Sequence, residues 1–175
     1  GPGIEEVFLD AEVSANQRAI DAINNADAIL LGPGDLYTSV IPNLLVKEVS
    51  EAIRDSKVPV IYACNLMTKL GETAGYGAST FASEVVRYIG GRKLDYLLVN
   101  ETPFSTEVLD VYAAEDASPV ELDNGAAEKY ADQIMLDDLA FIDGLTVRHN
   151  SERLASIVLA AIDSSAVKPI GTGLD

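Results

Sequence analysis

The chain has 175 residues, 48% of them hydrophobic and 23% charged, the balance of an ordinary globular protein with enough apolar material for one sizeable core. Twelve Lys and Arg against 28 Asp and Glu give a formal net charge of -16, a surface that repels a nucleic-acid backbone or anionic lipid and so argues against both as partners. No apolar run reaches the roughly 18 residues of a membrane span, no secretory signal is present, and a single cysteine allows no internal disulfide, so the expected location is a reducing cytoplasm.

Taken in order, residues 7–10 (Val-Phe-Leu-Asp) read as a short first strand. A helix over residues 15–25 follows, with Ser14 as N-cap and Ala19, Ile20 and Ile23 on its buried side; it closes at the turn-forming pair Asn24-Asn25. Residues 28–31 are a short all-apolar run, the pattern of a strand buried on both faces. Pro42 suits the first turn of a helix reaching Arg54, with Leu45, Val49, Ala52 and Ile53 on one stripe. Residues 58–64 form the next strand, with Pro59 near its start, where a missing donor is tolerated. A helix carrying Phe81, Val85, Tyr88 and Ile89 on one face ends at Gly90-Gly91. Residues 95–99 are another strand, and Thr102-Pro103 reads as an N-cap followed by proline at the first helical position.

Beyond Tyr112 the pattern weakens. Residues 119–122 and 134–136 read as short strands, Asn124-Gly125 as a turn, and Asn150 as the N-cap of a last helix burying Leu154, Ile157, Val158 and Ala161. The expected organisation is one α/β domain over residues 1–163 and a tail over 164–175. Strand, loop and helix alternate with crossovers of helical length, so the sheet is expected to be mainly parallel and covered on both faces. Ligands of such sheets bind beyond the carboxyl ends of the strands, at a switch point in strand order. That puts the loops after Leu31, Cys64 and Val99 on one edge.

Two of those loops carry chemistry. In Gly32-Pro33-Gly34-Asp35-Leu36-Tyr37-Thr38-Ser39, two glycines permit close approach of a ligand, a helix N-terminus favours an anion, and three hydroxyls add donors. The alternative is an ordinary strand-to-helix turn; the stretch has neither the Lys of a P-loop nor a G-x-G-x-x-G fingerprint. In the second loop Asn65, Thr68, Glu72 and Thr73 either cap the loop or contact a ligand, and Glu72 alone does not identify a metal ligand or a general base. Cys64, ending an apolar strand, reads as an inert core thiol. His149 is the single histidine, which excludes a multi-histidine metal site.

The segment from Gly32 to Asn43 (Gly-Pro-Gly-x-Leu-Tyr-Thr-Ser-x-Ile-Pro-Asn) closely resembles the most recognisable stretch of the CofD-like proteins, in their YvcK or gluconeogenesis factor branch. Asn65-Leu66-Met67-Thr68, followed by Gly71-Glu72-Thr73, resembles a second block of that branch in order and spacing. The resemblance implies a Rossmann-like three-layer α/β/α fold. It also implies a UDP-sugar ligand such as UDP-N-acetylglucosamine, and a regulatory role in carbon metabolism and cell shape within a homo-oligomer. Gly32, Gly34, Tyr37, Thr38 and Ser39 would surround the phosphates. Arg148, in Arg148-His149-Asn150, resembles an arginine tied to nucleotide-sugar binding, with Asn150 in place of an aspartate; Tyr112 resembles a tyrosine tied to the same ligand. Solvated Arg and aromatic core packing are the competing readings of these two.

The chain departs from the pattern at Asp35, where a small hydroxyl is usual, at Lys69-Leu70 for Gln-Pro, and at Ala74 for an acidic residue. A carboxylate at 35 repels a phosphate unless a metal or Lys69 intervenes. Nothing matches the Gly-Gly-Gly-Thr-Gly loop with which such proteins begin, so the chain is expected to be the carboxyl-terminal portion of a longer one. The CofD branch proper implies an alternative, an enzyme transferring a phospholactyl group from a guanosine-linked donor to a deazaflavin, with Asp35 or Glu72 holding Mg²⁺. A third reading is an interaction module with no ligand of its own.

Overall fold

The computed structural model describes residues 3–123 and 126–166. Its centre is a sheet of four parallel strands in the order β1 (Ile29–Leu31), β2 (Val60–Ala63), β3 (Leu94–Asn100) and β4 (Ala131–Asp137). All four residues of β2 are buried, which is why this strand reads as a continuous apolar run. Register explains the two cores. Tyr62 lies beside Leu97, and both face a cluster built from α2 (Ile41–Leu44), α3 (Lys47–Asp55) and α4 (Ala78–Tyr88). Ile61 lies beside Tyr96 on the opposite face, where Leu154, Ile157 and Ala161 of α6 (Ser151–Ala166) cover the sheet. The result is a three-layer α/β/α fold with a parallel sheet, as expected.

Several expected elements take a different form. Residues 7–10 are not a strand. No described strand lies beside them, Phe8 is 76% exposed, and the Val7 N–H donates to the Tyr88 hydroxyl (3.4 Å) instead of to a ladder. The first helix, α1, is shorter (Gln17–Asn24) because Asn16, not Ser14, caps it by accepting from Arg18 N at 3.0 Å; Ala19 is exposed. β1 is buried on one face only. It is an edge strand among the described residues, and Leu30, on the opposite face from Ile29 and Leu31, is 39% exposed.

The helix expected from Pro42 to Arg54 is divided. A π-helical turn, Leu36–Val40, runs directly into α2, and extended Val46 separates α2 from α3, so that Leu44 and Ile53 both reach the core. Ser105, not Thr102, caps α5 (Thr106–Ala113). α4 begins where Asp123 accepts from Ser79 N (2.8 Å), and its stripe of Phe81, Val85 and Ile89 is buried as the spacing predicts. Residues 119–122 contribute only a bridge, Met67 opposite Pro119. A hairpin of β5 (Ala140–Asp143) and β6 (Thr146–His149) stands outside the main sheet. Asn150 accepts from Arg153 N (3.1 Å) at the start of α6, as expected of a cap. The Asn124-Gly125 turn and most of the expected tail lie outside the described residues; α6 itself runs to Ala166.

The strands follow one another in a single direction, so the described sheet contains no reversal of order. The expected switch point is absent from these residues. What places a site is simpler: all four strands are parallel, so their carboxyl ends lie on one edge.

Candidate functional site

At that edge the loop after β1, the loop after β2, helix α5 after β3 and strand β6 enclose a cleft of about 240 Å³. It is lined by Pro33, Gly34 and Asp35, by Asn65, Leu66 and Met67, and by Tyr112, Val147 and His149.

Each wall is fixed by local chemistry. Gly32 adopts φ +76°, and a Cβ there would lie 3.0 Å from the Ala63 carbonyl oxygen. Only glycine takes that backbone shape without strain while passing so close to the end of β2. The Gly32–Pro33 peptide is cis. In the second loop, the buried Thr68 hydroxyl accepts from Ser118 N (2.9 Å), while Thr68 N donates to Ser118 O (2.7 Å). Thr73, also buried, takes the Lys69 N–H on its hydroxyl at 3.0 Å. Both threonines hold the loop's shape rather than face the cleft. Tyr112 accepts from Val147 N (2.9 Å), which ties α5 to β6.

Tyr37 does not point into the cleft. Its side chain is buried against α4, where the hydroxyl donates to Glu84 (3.2 Å) and pairs with the Tyr76 hydroxyl (2.9 Å). Burial first, then these contacts, push its pKa far above the ordinary tyrosine value. Thr38 and Ser39 are exposed at the rim; Gly32 and Ser39 border a separate cavity of about 230 Å³ beside β1. Arg148 also lies outside. Alternation along β6 turns Val147 and His149 inward, so Arg148 is exposed on the outer face, across from Phe141. Of the expected site residues, the cleft gathers Gly34, Asp35, Asn65 and Tyr112.

The cleft's charge is set by a bridge between its two loops. Lys69 Nζ lies 2.8 Å from Asp35 Oδ2 and 2.8 Å from Glu72 Oε1. Hydrogen bonds to Asp35 and then to Glu72 raise the ammonium's pKa well above the usual lysine value. Lys69 thus takes the place between the two carboxylates in which a cation would sit. Among the described residues no group of three or more His, Cys, Asp or Glu side chains is placed to hold a metal ion. Asn65 Oδ1 and Glu72 Oε2 are buried acceptors with no partner among the described residues, and the Tyr62 hydroxyl behind Gly32 is likewise unpaired among them. Unpaired buried acceptors are costly and rare.

His149 was not legible as a cleft residue. Its Nε2 lies 3.1 Å from the Cys64 carbonyl oxygen, which fixes the tautomer with the proton on Nε2. Burial depresses its pKa below the ordinary 6.5, and the carbonyl contact only partly offsets this. An unfolded histidine takes up a proton near pH 6.5, so between that pH and the lower folded value the unfolded state binds more protons. His149 therefore contributes its full stability above about pH 6.5, and the contribution is lost as pH falls toward the folded value. Urea midpoints across that range should fall with acid more steeply in the wild type than in His149→Gln. Cys64 beside it is buried, and desolvation raises its thiol pKa, as expected of an inert core cysteine.

The convergence of parallel strand ends on one small polar cleft is the architecture of a Rossmann-like α/β protein. Residues 1–140 match the model of the family described as 2-phospho-L-lactate transferase CofD. The chain belongs to the CofD family. It is 37% identical over 160 residues to a gluconeogenesis factor of Halalkalibacterium halodurans, covering 91% of this chain and 50% of that one. It is 35% identical over 164 residues to the gluconeogenesis factor of Listeria monocytogenes, covering 93% and 50%. A crystal structure of a Bacillus halodurans protein of the UPF0052 family superimposes with a TM-score of 0.86 at 36% identity, covering 90% of this chain and 51% of that one. The chain thus spans about half the length of the curated relatives it matches. No helix among the described residues is long and apolar enough to cross a membrane.

Proposed function

We propose that this chain forms the nucleotide-sugar face of a regulator of the gluconeogenesis factor type, acting in the cytoplasm on carbon metabolism and cell shape. The ligand is a UDP-sugar such as UDP-N-acetylglucosamine, seated between Gly34-Asp35, Asn65 and Tyr112. The observation that carries this reading is the cleft itself: three strand-end segments converge on it, and Asn65 brings an acceptor with no protein partner. A sugar offers hydroxyl and amide donors for such an acceptor, and the Tyr112 ring offers a face on which a base or sugar can pack. The acid excess is consistent with a small-molecule ligand and with no nucleic-acid partner, and self-association as a homo-oligomer is part of the same reading.

The family model favours a second reading, a CofD-type phospholactyl transferase using a guanosine-linked donor and a divalent metal. The Lys69 ammonium, which already bridges Asp35 and Glu72 in the place a cation would take, ranks it lower. Calorimetric titration with UDP-N-acetylglucosamine, UDP and GDP, with and without Mg²⁺, separates the two. The regulator reading expects saturable UDP-sugar binding, weakened about tenfold in Asn65→Ala by loss of one hydrogen bond of about 1–1.5 kcal/mol. Binding of GDP alone, dependent on Mg²⁺, would favour the transferase.

A further inference from the structure

The cleft has an unusual charge pattern for a phosphate-bearing ligand. Among the described residues its lining contains no Lys or Arg, and the one carboxylate there, Asp35, is held by Lys69 from the neighbouring loop. The two arms of that bridge differ. Glu72 has a side chain only 15% exposed and belongs to the same loop as Lys69, three residues away, so this arm anchors the ammonium. Asp35 is 45% exposed and lies across the cleft mouth on the other loop. An ion pair of that kind is worth little in water and exchanges readily. An ammonium has three donors on a flexible stem, so Lys69 can keep Glu72 while trading Asp35 for another oxyanion.

We propose that Lys69 is the cation that selects a phosphate group in this cleft, and that Asp35 competes with the ligand for it. The inference rests on the nucleotide-ligand reading and adds to it the determinant of affinity. With Asp35 in place, the two carboxylates outnumber the one ammonium, and an incoming phosphate must both displace Asp35 and bear its repulsion. Removing the Asp35 charge alone frees Lys69 and abolishes the repulsion, so a substitution within the site strengthens binding.

Calorimetry of the wild type, Asp35→Asn, Lys69→Gln and the double variant, each with UDP and with inorganic pyrophosphate, tests this. Asp35→Asn should bind both about tenfold tighter at low salt, a size set by one charge interaction near a protein surface. Lys69→Gln should bind more weakly than wild type, and in its background Asp35→Asn should gain little. A thermal scan of each variant confirms that it is folded, and Lys69→Arg should retain binding. Equal tightening by Asp35→Asn with and without Lys69 would overturn the proposal, because the effect would then be general charge rather than release of Lys69. UDP binding indifferent to both residues would overturn it and leave the nucleotide-ligand reading standing. Pyrophosphate binding with the expected coupling, but no response to any nucleotide, would support the Lys69 role and overturn that reading. Absence of binding by every variant would overturn both.

Discussion

Phe81→Ala should lower the stability of the chain by about 3–5 kcal/mol, the cost of emptying a fully buried aromatic site, and should weaken ligand binding as well. The side chain lies on the core face of α4 with no exposed surface. Its ring also meets Tyr76 edge-on, with centroids 5.7 Å apart at 79°, and Tyr76 in turn reaches Tyr37, 2.9 Å between hydroxyls. Tyr37 belongs to the loop after β1 and Tyr76 closes the loop after β2. Truncating Phe81 thus removes the support under both cleft walls as well as core area. Urea denaturation reads the first effect and a UDP-sugar titration at low denaturant the second. Phe81→Leu, which keeps most of the volume, should cost about 1–2 kcal/mol and leave binding close to wild type.

Gly32→Val is expected to cost about 3 kcal/mol, combining a left-handed backbone that a β-branched residue resists with the displacement its side chain forces. The added Cβ would stand 3.0 Å from the Ala63 carbonyl oxygen and 3.7 Å from the Tyr62 ring. Neither can retreat, because Tyr62 and Ala63 are fully buried in the middle of the sheet. The loop after β1 must therefore move, carrying Gly34 and Asp35 out of the cleft. Gly34→Ala is the control. Gly34 is not in the left-handed region, and its added Cβ meets only Ser39, whose Cβ at 3.1 Å must give by a few tenths of an ångström, so about 1 kcal/mol is expected. Thermal melts rank the two. Comparable losses would show that the close approach of Gly32 to β2 does not hold the loop.

The parallel order of the sheet and the position of the strand-end loops were legible because β2 and residues 96–99 of β3 are buried on both faces and read as apolar runs. The direction of individual side chains was not. Tyr37 was read among the phosphate donors because a hydroxyl beside two glycines in a loop looks exposed. The π-helical turn at Leu36–Val40 instead rotates it onto α4, and that turn has no sequence periodicity of its own. Thr68 and Thr73 could have faced a ligand, but their hydroxyls are consumed by Ser118 and by the loop backbone. The hairpin that decides between Arg148 and His149 did carry a signal. Gly144-Leu145 is the two-residue loop between paired Asp143 and Thr146, with glycine at its first position and φ +63° there. With the hairpin recognised, alternation alone would have put His149, two residues on from Val147, on the cleft side. The strand expected at residues 7–10 failed for the opposite reason: its apolar pattern is real, but a strand needs a neighbour, and none is described beside it.

Hydrogen–deuterium exchange of the chain with and without saturating UDP-N-acetylglucosamine tests the central claim most directly, since it reports which backbone segments the ligand covers. The account predicts slowed exchange in residues 33–38, 65–72 and 146–149, the walls of the cleft, with residues 3–14 unchanged. Protection confined to residues 3–14 and the neighbouring face of α4, or no change at those three wall segments under conditions where the ligand binds, would contradict it.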